Sequence, residues 1–86
     1  MRQIKFEADA LQELEGWIRE HPKTASKIVN LLQEIAKTPF EGKGKPEPLK
    51  HEFKGCWSRR ISDEHRLIYE VTESSINVLS CKGHYQ

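Results

Sequence analysis

With 86 residues, 36% of them hydrophobic and 31% charged, the chain has material for one domain, residues 1–86, with a thin core. No apolar run approaches the roughly 20 residues of a membrane span, and Met1-Arg2-Gln3-Ile4-Lys5-Phe6 lacks the apolar stretch of a signal peptide. Two cysteines and four scattered histidines give no metal-ligand spacing, so a cytoplasmic, metal-free protein with reduced, semi-buried thiols is expected.

In chain order, Gln3 to Phe6 alternates, with Ile4 and Phe6 on one face, and predicts a short strand. Ala8, Leu11, Leu14, Trp17 and Ile18 recur at helical spacing through to Glu20. Pro22 ends that helix and fits the first turn of the next. Ile28, Leu31, Leu32 and Ile35 form the apolar stripe of a second helix, which Pro39 closes. With almost nothing between them, the two helices form a hairpin.

The stretch Thr38-Pro39-Phe40-Glu41-Gly42-Lys43-Gly44-Lys45-Pro46-Glu47-Pro48-Leu49-Lys50-His51 cannot be a helix or a central strand, because its prolines lack donors and its glycines weaken regular structure. It reads as a structured loop. Pro46 and Pro48 stiffen the backbone around Glu47, so holding that carboxylate in place costs little entropy. Cations gather here: residues 42–66 hold seven Lys/Arg and four Asp/Glu, whereas residues 1–41 hold six and seven. Charge alone fits an anionic partner and a solvated basic loop about equally.

After the loop the period changes to two. Cys56 to Ile61 reads as a strand, with Trp57, Arg59 and Ile61 on one side and Cys56, Ser58 and Arg60 on the other. His65 to Val71 and Ser75 to Cys81 follow after short turns, which makes the three strands antiparallel neighbours. Alternation assigns Arg60 and Arg66 to the open face of the sheet. The expected fold class is α+β, with two N-terminal helices packed on one face of a twisted antiparallel sheet.

These residues carry a resemblance. Thr38 to His51, then Gly55-x-Trp57-Ser58-Arg59-Arg60-Ile61, Glu64-His65-Arg66-Leu67-Ile68-Tyr69 and Cys81-x-x-His84-Tyr85 are similar to the YoeB toxin family, of the RelE superfamily of type II toxin–antitoxin systems. The resemblance implies a RelE-like microbial RNase-type fold and a toxin that cuts mRNA in the ribosomal A site without a cofactor. It also implies a cognate, YefM-like antitoxin as partner, and a free toxin that can itself form a homodimer. By the same resemblance Glu47 is the general base, His84 the general acid and Arg66 the phosphate clamp, while Lys50, Arg60 and Tyr85 contact RNA.

That assignment makes chemical sense. RNA is cut by its own 2′-hydroxyl when a base takes the 2′ proton, an acid protonates the departing 5′ oxygen and cations hold the phosphate. Each residue also has a plainer reading. Glu47 can pair with Lys43, Lys45 or Lys50 at the surface. Arg60 and Arg66 can be solvent-facing ladder residues. His84 lies near a chain end, where side chains are often idle, and Gly83 places backbone freedom immediately before it. His51 and His65 read as structural or peripheral. The alternative to an enzyme is a non-catalytic module that binds its antitoxin and tunes repression of its own operon.

Overall fold

The computed structural model describes residues 1–84. It runs β1 (Gln3–Phe6), α1 (Ala8–Glu20), α2 (Pro22–Lys37), β2 (Glu47–Pro48), β3 (Cys56–Arg60), β4 (Arg66–Val71) and β5 (Ser75–Ser80). His21 alone separates the helices: its amide donates to the Trp17 carbonyl at 2.7 Å, and its own carbonyl accepts from Ala25 at 3.2 Å. Pro22 sits at the start of α2, where a missing amide proton costs nothing. No described helix is long and apolar enough to cross a membrane.

The strands form one sheet in the order β1-β5-β4-β3-β2. β3, β4 and β5 are antiparallel neighbours, as their short turns require. Strand β1 pairs parallel with β5, Ile4 against Ile76 and Phe6 against Val78, so the sheet is mixed. Alternation gives a strand its faces but no direction: the helix hairpin carries the chain to β2 at the far edge, and the three reversals through β3, β4 and β5 bring β5 alongside β1 in parallel. The proline-rich segment also contributes more than a loop. Glu47 and Pro48 pair with Ser58 and Trp57 as an edge strand, the position where a proline lacking its donor is tolerated.

Ala10, Ile28, Leu31, Leu32 and Ile35 from the helices pack on Ile61, Leu67, Tyr69, Ile76, Val78 and Cys81 from the sheet side. The first helix is turned relative to its apolar stripe. Leu11 and Ile18 are exposed at 54% and 57%, whereas Ala10 is fully buried. Its small side chain lets the backbone approach the sheet, and the Cys81 thiol reaches the Ala10 carbonyl at 3.6 Å. Burial raises the Cys56 thiol and pushes Cys81 up to about 12, so neither is a ready nucleophile.

The largest departure from the basic-patch reading is Arg59. Its side chain is completely buried on the helix side of the sheet. The guanidinium makes five hydrogen bonds: to the Tyr69 hydroxyl (3.1 Å), to Glu34 Oε1 (2.5 Å), and to the carbonyls of Lys43 (3.2 Å), Thr38 (2.7 Å) and Glu41 (2.8 Å). The Tyr69 hydroxyl in turn donates to the Pro39 carbonyl at 2.8 Å. One buried cation thus replaces the regular hydrogen bonding that residues 38–43 lack. The chain turns tightly around it. Gly42 has φ +127°, and a Cβ there would lie 2.0 Å from Glu34 Oε1.

Glu34 accepts from the Lys43 amide at 2.7 Å as well as from Arg59. The Lys43 amide, and then Arg59, hold its carboxyl below its ordinary value of 4.5 against the opposing cost of burial. A depressed folded-state value gives stability that is present above about pH 4.5 and is lost as pH falls through the folded value. Urea midpoints of the wild type should therefore fall more steeply below pH 4.5 than those of Glu34→Gln. Parallel curves would show that Glu34 carries no such linkage.

Candidate active site

Pairing of β2 with β3 fixes Glu47 opposite Ser58, two residues from Arg60 on the same strand face. The Leu49 amide donates to the Cys56 carbonyl at 2.9 Å and the Arg60 amide to the Gly44 carbonyl at 2.6 Å, which ties both ends of the segment to β3. Lys45, immediately before Pro46, has φ +52°. A side chain in that left-handed region costs roughly 1 kcal/mol, and such strain tends to gather at functional sites.

Arg60 stands directly opposite Arg66 in the β3–β4 ladder. This register puts both on the open face, as alternation assigned them. Like charges directly opposite are destabilising unless something negative lies between them. Within the described residues, Arg60 has only a loose contact to the exposed Asp63, at 3.9 Å. The Arg66 guanidinium is oriented by the β3–β4 turn, with Nη1 donating to the carbonyls of Ser62 (2.5 Å), His65 (3.1 Å) and Asp63 (3.2 Å).

The tail reaches the same place from the other side. A bulge between Ile68 and Tyr69 leaves Leu79 as the extra residue of β5, since Ile68 pairs with Ser80 and Tyr69 with Val78. Bulges of this kind re-aim the residues beyond them. Past the end of β5, Gly83 has φ +84° and is fastened rather than loose: its carbonyl accepts from the Arg66 amide at 2.8 Å, and its amide donates to His65 Nδ1 at 2.9 Å. The freedom of glycine is used here to make the turn that delivers His84.

Glu47, Arg60, Arg66 and His84 consequently line one cleft of about 230 Å³, with Lys45, Ser58 and Ile68. Glu47 and His84 are exposed, and Arg66 is half-buried. Lys50 is exposed just past β2 and does not line the cleft. Tyr85 lies outside the described residues. Lys45 and Ser58 line the cleft without having been singled out in the sequence. The glycine before Lys45 and the serine one strand step from Arg60 were the signals available. A larger hollow of about 1060 Å³ lies elsewhere, between the α1–α2 corner and the β3–β4 turn, where acids such as Glu13, Glu20 and Glu64 mix with Arg19, Lys23 and Lys27. Its mixed lining favours no single ion. The small cleft brings cations to one carboxylate and one imidazole.

A family model for the YoeB-like toxin of bacterial type II toxin–antitoxin systems matches residues 6–85. The chain belongs to the YoeB toxin family. The toxin YoeB of Mycobacterium bovis is 45% identical over 99% of this chain and all of its own length. A YoeB dimer from Staphylococcus aureus has 40% identity, covers 98% of each chain and superposes with a TM-score of 0.91. A YoeB–YefM complex from the same organism, also 40% identical, covers 99% of each chain at a TM-score of 0.89. The YoeB match takes in the Glu47 segment, both arginine strands and the tail through Tyr85.

Proposed function

We propose that this YoeB-family toxin is an endoribonuclease that cuts mRNA on the translating ribosome in the cytoplasm and so inhibits translation. The observation that supports this reading best is the gathering of Glu47, Arg60, Arg66 and His84 on one cleft. The RNA supplies its own nucleophile, so the reaction needs neither an activated water nor a metal. Glu47 takes the proton from the 2′-hydroxyl, and the 2′ oxygen forms a bond to phosphorus. The bond from phosphorus to the 5′ oxygen breaks, and protonated His84 gives its proton to that oxygen. Arg66, with Arg60 and Lys45 beside it, faces the charge that builds on the non-bridging oxygens. The products are a 2′,3′-cyclic phosphate, which can open to a 3′-phosphate, and a 5′-hydroxyl. Lys50 and Tyr85 complete the proposed RNA contacts, Tyr85 by stacking on a base.

The partner proposed is an antitoxin, as in the Staphylococcus aureus YoeB–YefM complex, and the free toxin is proposed to dimerise like its relative. Leu11 and Ile18, exposed seven residues apart on one line of α1, offer apolar surface to a partner. The deciding experiment is expression of the toxin alone in a bacterial host, with the ends of its transcripts mapped. Growth arrest with new 5′-hydroxyl ends and 2′,3′-cyclic or 3′-phosphate ends is expected. Arrest with intact transcripts would mean that the protein blocks the ribosome without cutting. Unimpaired growth would favour a binding module that acts only through its antitoxin.

A further inference from the structure

His84 is one residue beyond a segment that is held almost atom by atom. Glu13 Oε1 accepts from the Cys81 amide at 2.8 Å, and Trp17 Nε1 donates to the Cys81 carbonyl at 2.9 Å. The last two ties before His84 come from neighbouring residues at the start of β4: Arg66 through its amide and His65 through its ring. An imidazole nitrogen that accepts from an amide carries no proton, so His65 keeps its proton on Nε2. Trp17 braces the ring edge-on, with centroids 4.8 Å apart and planes at 80°. An apolar side chain could fill this space, but it would leave the Gly83 amide without its acceptor.

We infer that His65 is a positioning residue for His84: its neutral Nδ1 holds the Gly83 amide and so sets the proposed acid against the Arg66 clamp. This inference rests on the reading of His84 as the acid that protonates the 5′ oxygen. The neighbouring ties fit it. Arg66 is joined to Gly83 through its own amide, so clamp and acid share one short bridge between β4 and the tail. His65 itself is half-buried and lines the larger hollow beside α1 rather than the cleft, so it acts on His84 from behind the tail.

The test compares His65→Leu, His65→Asn and His84→Gln on ribosome-bound mRNA carrying either the natural linkage or a 5′-bridging sulfur at the mapped cleavage site. A thiolate departs without a proton, so the sulfur substrate makes the acid dispensable. With the natural linkage, His65→Leu should lower kcat about tenfold to hundredfold at unchanged KM, part of the 10²–10⁴ that an acid contributes. His65→Asn places an amide oxygen near the Nδ1 position and should stay within about threefold of wild type, since the hydrogen bond is kept. On the sulfur substrate, His65→Leu and His84→Gln should both approach the wild-type rate, which also shows that the variants are folded. A His65→Leu defect of equal size on both substrates, or a His65→Asn defect as large as that of His65→Leu, would overturn the inference. Failure of sulfur to rescue His84→Gln would instead remove the reading of His84 as the acid.

Discussion

Glu47→Gln and His84→Gln should each slow mRNA cleavage by roughly 10²–10⁴ in single-turnover assays, the range that one general base or acid contributes. Neither change should move the melting temperature. Both side chains are exposed, and neither makes a side-chain hydrogen bond or ion pair among the described residues. Arg66→Lys is expected to cost tenfold or more although it keeps the charge, because the three turn carbonyls all bind Nη1 and leave Nε and Nη2 for a phosphate, whereas a lysine has one nitrogen for both tasks. Residues that act in one transition state are not additive. The double variant Glu47→Gln/His84→Gln should therefore lose less than the product of the two single losses. Wild-type cleavage by both single variants would sink the catalytic assignment while leaving the family membership untouched.

How much of this site the sequence carries depends on which residues are local to one another. The stiff segment around Glu47 is written in consecutive prolines and glycines, and the shared face of Arg60 and Arg66 follows from alternation once their strands pair. Arg59 was harder to read. Counting charges placed it in the basic patch, yet the same alternation set it beside Trp57 and Ile61 on the helix side. Its acceptors are carbonyls at Thr38, Glu41 and Lys43, and carbonyls have no letter in a sequence. The parallel direction of β1 and the turning of α1 about Ala10 are likewise decided by contacts across the whole chain. Gly83 shows the same limit from the other side. A lone glycine suggests freedom, and only the meeting of His65 and Arg66 with its backbone reveals a fixed turn.

Arg59→Met should destabilise the protein by about 3–5 kcal/mol, as for other buried pairs that lose one partner, and Arg59→Lys should cost a similar amount although it keeps the charge. The cost has two sources. Three part-buried loop carbonyls and the buried Tyr69 hydroxyl lose their donor, and each such orphan costs roughly 1–3 kcal/mol unless water reaches it. Glu34 also loses its cation, though at 30% exposure water replaces part of that interaction. Lysine separates these sources, because it restores the charge but offers three donors from a single nitrogen in place of a five-donor fork. If charge were the main contribution, Arg59→Lys would unfold close to the wild-type urea midpoint. If the carbonyls dominate, as the five bonds imply, lysine and methionine should lose similar stability, and Glu34→Gln should lose clearly less than either. On a domain whose total stability is of order 5–15 kcal/mol, a loss of this size would leave a substantial unfolded fraction at 37 °C. The effect should extend to cleavage at temperatures where the variants remain folded. Residues 38–43 wrap Arg59, and the adjoining Gly44 carbonyl is bonded to the Arg60 amide, so a loosened wrap shifts the segment that presents Lys45 and Glu47. A variant at position 59 with an unchanged urea midpoint would show that this loop is held by its prolines and its pairing with β3 alone.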